Sequence, residues 1–412
     1  MKEPFVTGNT LEKIVAQYPT PFHLYDEKGI REKARAVNQA FSWNKGFKEY
    51  FAVKATPTPA ILKILKEENC GLDCATEVEL MMAQELGFTD IMFSSNNTPA
   101  REYQYAKSIG ATINLDAYEQ IAFLQESMPL PKRLSLRYNP GGVFSLGTTI
   151  MDHPAESKFG MTKEQLFQGL QDLQAAGVEE FGIHSFLASN TVTNDYYPQL
   201  ARDLFALTVE IKEKLGISLA FVNLSGGIGV NYRPEEKANA IAIIGKGVEA
   251  AFNEILLPKG LGELAIYTEL GRFMLAPHGH LVTKVLHRKK TYKDYVGVDA
   301  SAVNLLRPAM YGSYHHITNL SNPRGDLEKV DVVGSLCENN DKFAKDRLLP
   351  QARVGDLLVI HDTGAHGFSM GYQYNGRLRS AEILLEESGD VRLIRRAEEP
   401  EDYFATIRGF DF

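Results

Sequence analysis

The stretch EYFAVKATP at 49–57 sets an amine at the end of an apolar run that reads as a buried strand. An ammonium in such a place is costly, so Lys54 has a depressed pKa, a carboxylate partner or a covalent task such as a Schiff base. The plain alternative is a side chain that reaches from the strand end to water. Farther along, SGGIG at 225–229 would offer backbone N–H groups to an anion, although a glycine-rich turn also describes a simple tight bend. Glu269 and Arg272 then place a carboxylate beside a cation, either as a working pair or as a strand-end ion pair.

These residues need elements to hold them. A short strand at 20–25 precedes a helix capped by Asp26 with Ile30, Ala34, Val37 and Phe41 on its apolar face. From Tyr50 the pattern becomes regular, with strands at 71–75, 91–94, 112–115, 134–138, 181–186, 219–224 and 265–269 following the one that ends at Lys54. Helices alternate with them. Thr58-Pro59, Thr76 with Glu79, and Thr162 with Gln165 are start signals, Gly87 and Gly177 are stops, and another helix spans 199–215. Eight strands with helices between them are the signature of a parallel (β/α)8 barrel rather than an open sheet. After Gly271, apolar segments at 280–286, 294–298 and 356–361 follow without helices between them and read as an antiparallel β domain that the strand at Phe22 joins. The expected division is 27–274 for the barrel, with 1–26 and 275–412 for the β domain.

The composition narrows the chemistry. A chain of 412 residues, 44% hydrophobic and 23% charged, is long enough for two cores, and its net charge of -8 disfavours nucleic acid or anionic lipid as a partner. Three cysteines, Cys70, Cys74 and Cys337, form neither a metal pair nor a disulfide framework, so no metal is expected. Without an apolar leader or a membrane-length run, the protein is expected in the cytoplasm, acting on a small molecule.

Residues at the C-terminal ends of barrel strands meet at one mouth. Those ends carry Lys54, Asp73, Arg137, residues 184–189, Ser225, Gly226, Gly227, Glu269 and Arg272. An amine for an aldehyde, glycines for a phosphate and a carboxylate for a pyridine nitrogen make the set that pyridoxal 5'-phosphate (PLP) needs. Asp73 and Arg137 read as a supporting ion pair.

The chain resembles, over nearly its whole length, the barrel-type PLP decarboxylases that include ornithine and diaminopimelate decarboxylases, and among them most resembles the diaminopimelate group. The matching stretches are FAVKA at 51–55, ESKFGM at 156–161, ELGR at 269–272, LRPAMYGSYHHI at 306–317, Cys337-Glu338 and HDTGA at 361–365. This likeness implies an alanine racemase-like architecture, with Lys54 as the Schiff-base lysine and Glu269 on the pyridine nitrogen. A racemase of this fold has arginine in the place of Glu269. Gly226, Gly227 and Arg272 would lie near phosphate and substrate, and Asp73, Arg137, Phe186, Ser189, Gly271 and His366 complete the cofactor set. Arg307 and Tyr311 would hold the substrate's far carboxylate, Glu338 its far ammonium, and Cys337 would act as an acid. The family further implies a homodimer in which each subunit lends Cys337 and Glu338 to its partner's site.

Departures from the family pattern are specific. Phe186 stands where the family stacks a histidine on the cofactor ring, Ser225 begins the glycine triplet, Leu270 replaces a proline, and His366 replaces a tyrosine. His184 is either a stand-in for the lost imidazole or a satisfied core histidine. The implied reaction is decarboxylation of meso-2,6-diaminopimelate to L-lysine and carbon dioxide. The alternatives are another decarboxylase of the group, acting on D-ornithine, D-lysine or carboxynorspermidine, and a non-catalytic PLP carrier built on the same barrel.

Overall fold

The computed structural model describes residues 2–142 and 153–409. The chain forms two compact units, Arg31–Val230 with Lys237–Met274, and Met1–Ile30 with Asn231–Glu236 and Leu275–Phe412. Met1 and 410–412, which the sequence reading counts in the β domain, lie outside the described residues.

Strand β1 (Phe22–Asp26) belongs to the second unit. The first unit is a closed parallel barrel of β2 (Lys48–Ala52), β3 (Gly71–Cys74), β4 (Ile91–Ser94), β5 (Thr112–Leu115), β6 (Arg133–Arg137), β7 (Glu180–His184), β8 (Phe221–Asn223) and β9 (Ala265–Thr268). Strand β9 returns to β2 with Tyr267 opposite Lys48. These are the eight strands anticipated, in the same order.

Three local readings need correction. Lys54 is not in the strand: β2 stops at Ala52, and Val53–Ala55 form a 3-10 turn before Thr56 extends ahead of Pro57. The helix anticipated at 199 begins at Tyr196, because Pro198 lies in its first turn, where a missing N–H loses no bond. Thr76 accepts the Glu79 N–H, yet the Glu79 carboxylate turns to the Ala75 N–H at 2.7 Å, so that capping box is only half formed. Thr162 and Gln165 form theirs in both directions.

Tyr50, Met92, Phe221 and Tyr267 form one cluster. Strands β4 and β8 are not neighbours in the barrel, so these side chains meet in its interior. The Phe221 and Tyr267 rings stack with centroids 4.5 Å apart. Room for Phe221 comes from Gly182, where a Cβ would fall 2.1 Å from the ring. Apolar rings thus fill the interior, while Asp73, Arg137, His184, Asn223 and Glu269 are buried at or just past the C-terminal strand ends.

The second unit is a sheet of nine strands. Its others are β10 (Gly279–Lys290), β11 (Asp294–Val298), β12 (Ile317–Asn319), β13 (Leu327–Val333), β14 (Lys342–Pro350), β15 (Leu357–Ile360), β16 (Ala381–Leu385) and β17 (Val391–Arg395). Strand β1 lies between β10 and β16, so the early strand does join this sheet. Pairing is antiparallel except between β1 and β16 and between β11 and β13. Leu281, Val296, Val332, Phe343 and Leu358 contribute to a fully apolar core on it.

Candidate active site

Lys54 Nζ stands 3.4 Å from Asp73 Oδ2; the lysine side chain is 57% exposed and the aspartate 1%. The lysine is therefore open, as in the alternative of a side chain that reaches to water. Lost hydration lowers its pKa, but the Asp73, Glu269 and Glu79 carboxylates outweigh that and the net direction is upward. Of the outcomes set by the sequence, the carboxylate partner is present and a depressed pKa is not. Burial, then Glu269, push Asp73 up against the pull of Lys54. The cation of this pair is the lysine, which keeps its contact with water.

Glu269 follows β9 and is held through both oxygens. Oε1 accepts Asn223 Nδ2 at 2.7 Å, while Oε2 accepts the Ser225 hydroxyl at 2.9 Å and faces His184 Nε2 at 3.1 Å. Burial would raise this carboxyl, but the charge and hydrogen bond of His184, with Lys54 and Ser225, reverse the effect and carry it down to about 2. His184 is not a fully satisfied core residue: Nε2 meets Glu269, and Nδ1 is buried without a hydrogen-bond partner.

The turn after β8 passes close to this carboxylate. A Cβ on Gly226 would fall 2.8 Å from the Glu269 carbonyl oxygen, and Gly227, at φ +110, would press on Tyr196 and the Ala188 carbonyl. Only glycine suits either place. Gly271 has the same role, since a Cβ there would come within 2.8 Å of Ala55 Cβ. The segment bearing Glu269 and Arg272 can therefore pack onto the turn bearing Lys54. Arg272 is buried and its Nη2 lies 3.5 Å from Ser189 Oγ. The Phe186 ring lies 3.7 Å from the Cβ position of Gly226, against the glycine turn.

Asp73 and Arg137 are not a pair. Arg137 at the end of β6 bonds Asp116 Oδ1 at 3.1 Å, because Asp116 follows the adjacent β5 while Asp73 lies on β3. Its guanidinium covers the Phe159 ring at 4.4 Å. Asp116, Asn223 and Glu49 are contributors that the sequence reading missed. A polar residue inside the apolar strand FVNL was the signal for Asn223. Glu49 is fully buried on β2 and accepts the Leu270 N–H at 2.8 Å and the Thr268 hydroxyl.

The remaining candidates are in the second unit. Arg307 is 2% exposed, too buried for a surface ion pair, and its guanidinium lies 5.8 Å from the Tyr232 ring and 5.7 Å from the Tyr311 ring. Cys337 and Glu338 border a concavity of about 510 Å³ with His287, Tyr295 and Lys342. The Cys337 N–H donates to Asn375 Oδ1 at 2.8 Å, and buried Asp341 accepts from the Leu336 and Ala302 N–H groups, anchoring that loop. His366 adopts φ +55 in the same unit.

Residues 27–276 match the pyridoxal binding domain of the pyridoxal-dependent decarboxylases, and 228–364 match the C-terminal sheet domain of those enzymes. The chain belongs to the pyridoxal-dependent decarboxylase family. It is 41% identical over 400 residues to Protein TabA of Pseudomonas amygdali pv. tabaci, covering 97% of this chain and 93% of that one. With the diaminopimelate decarboxylase of Methanothermobacter thermautotrophicus it shares 34% identity over 401 residues, covering 95% and 92%. A crystal structure of diaminopimelate decarboxylase from Helicobacter pylori complexed with L-lysine superposes with a TM-score of 0.87 at 28% identity, covering 96% of this chain and 98% of that chain. The cofactor of this pyridoxal-dependent decarboxylase is PLP. The barrel fits it: an open lysine beside a buried carboxylate, an ionised Glu269 and a turn that admits only glycine are the donors and the room that PLP requires.

Proposed function

We propose that this decarboxylase converts meso-2,6-diaminopimelate to L-lysine and carbon dioxide. The observation that carries the reading is Arg307, a buried guanidinium between two tyrosine rings, suited to a second carboxylate that a simple diamine acid lacks. Likeness along 95% of the chain to an enzyme named for that substrate supports it.

PLP supplies an electron sink for the pair released when the carboxylate bond breaks. In this reading Lys54 would hold its aldehyde, the turn at Gly226 and Gly227 with Arg272, Ser189 and His366 would receive its phosphate, and Phe186 would supply the aromatic face for its ring. Asp73 orients Lys54 by accepting its Nζ hydrogen bond, and Arg137 stiffens the mouth through Asp116 and Phe159. Glu269 stays ionised, so a proton on the ring nitrogen is stabilised. Arg307 and Tyr311 bind the far carboxylate, Glu338 the far ammonium, and Cys337 delivers a proton to the substrate carbon. The working division is 27–274 as the cofactor barrel, with 1–26 and 275–412 as the β domain that completes the site. The assembly is a two-fold dimer with Cys337 and Glu338 serving the partner's barrel.

A cytoplasmic location accords with free Cys70, Cys74 and Cys337. Among the described residues no helix is long and apolar enough to cross a membrane. The match to the decarboxylases' C-terminal sheet domain argues against a non-catalytic carrier.

A second reading is decarboxylation of another diamino acid such as D-ornithine, D-lysine or carboxynorspermidine, whose far end carries an amine without a second carboxylate. Carbon dioxide release from each of the four compounds by the PLP-loaded protein separates the two. Fastest turnover of meso-diaminopimelate supports the first reading, and turnover of only the others refutes it.

A further inference from the structure

Ser225 holds a backbone conformation that its Cβ disfavours. Its φ is +56, in the left-handed region where glycine is the ordinary choice. The residue is pinned there from every side. Its N–H donates to Asn223 Oδ1 at 2.8 Å, and its carbonyl accepts the Glu269 N–H at 2.7 Å and the Tyr197 hydroxyl. If the chain needed only a tight turn, glycine would make it without strain. What serine adds is the hydroxyl, which donates to Glu269 Oε2 at 2.9 Å.

We infer that Ser225 is a positioning residue that acts through Glu269, holding that carboxylate ionised and aimed at the ring nitrogen of PLP. A carboxylate has about four acceptor directions. Asn223, His184 and Ser225 take three of them, and all three are at least nine-tenths buried. One direction is left, and the three donors fix where it points. Strain is retained here because it completes a functional carboxylate. This inference rests on the reading that Glu269 pairs with the cofactor.

The test uses the full-length protein with PLP, reading the dissociation constant for PLP, the visible absorption spectrum of the loaded form and the Tm of the cofactor-free form. Ser225→Gly relieves the backbone and Ser225→Ala keeps the strain, so their Tm values should move apart. Both lack the hydroxyl, so both should bind PLP about tenfold more weakly, the scale of one hydrogen bond to a charged group, and share one altered spectrum. Glu269→Gln should weaken binding further, and adding Ser225→Gly to it should change nothing more. If PLP affinity follows Tm rather than the hydroxyl, or if the two substitutions are additive, the inference is overturned while the Glu269 reading stands. If Glu269→Gln itself leaves affinity and spectrum unchanged, the Glu269 reading falls and the inference with it.

Discussion

Leu270 donates its backbone N–H to Glu49 Oε1 at 2.8 Å, a bond that a proline at 270 could not make. Glu49 also takes the Thr268 hydroxyl, so one buried carboxyl ties the residues on both sides of Glu269 to β2. The departure at Leu270 is thus an added strap rather than a loosened motif.

Glu49 should give stability a measurable pH slope. Burial pushes its carboxyl up to about 8 from the ordinary 4.5, against the Thr268 and Leu270 hydrogen bonds, with Glu269 adding to the rise. Between those values the folded state binds the extra proton, so stability falls as pH rises, by at most about 1.4 kcal/mol per pH unit, and levels off above the folded pKa. Glu49→Gln keeps the shape of the protonated acid and cannot ionise. Urea unfolding at pH 5 to 8 should show this slope reduced in the variant; equal slopes would mean that Glu49 folds ionised.

Lys54→Ala should abolish turnover and hold PLP only loosely. Borohydride reduction of the loaded wild type should fix the cofactor to the peptide that contains Lys54, read by mass spectrometry. Label on any other lysine contradicts the assignment.

The barrel was legible because its strands are short apolar runs between clear helix starts, and FAVKA and ELGR marked the mouth directly. Contacts between strands were not. Arg137 finds Asp116 rather than Asp73 because pairing order in the barrel decides which strand ends are adjacent. His184 and Glu269 are 85 positions apart, and closure of the sheet brings them within 3.1 Å. The sequence left Lys54 between burial and a reach to water, since an apolar context does not reveal a turn that takes one residue out of a strand.

Arg307→Ala should impair diaminopimelate turnover and leave the PLP spectrum unchanged. Truncating one member of a buried charge contact costs about 2 to 5 kcal/mol, so kcat/KM should fall roughly 30-fold to several thousand-fold. Arg307 also lies 5.8 Å from the Tyr232 ring and 5.7 Å from the Tyr311 ring, so Arg307→Lys, which keeps the charge but loses the planar fork, should recover only part of the loss. Unchanged kinetics in Arg307→Ala would remove the carboxylate assignment.

Subunit mixing tests the shared dimer. Cys337 is exposed and Glu338 is exposed beside it, on a loop that Asp341 and Asn375 hold in place, as suits residues offered outward to a second copy of the chain. Isologous dimers are the commonest assembly, and each would join one subunit's Lys54 to the other's Cys337. Lys54→Ala and Cys337→Ala homodimers should then both be nearly inactive. In a heterodimer of the two, the barrel that keeps Lys54 receives an intact Cys337 from its partner, while the other barrel lacks both. Random exchange at equal amounts makes about half of the dimers mixed, each with one working site of two, so activity should recover to roughly a quarter of wild type. Native mass spectrometry would verify the exchange. Full exchange without recovery would mean that each chain completes its own site.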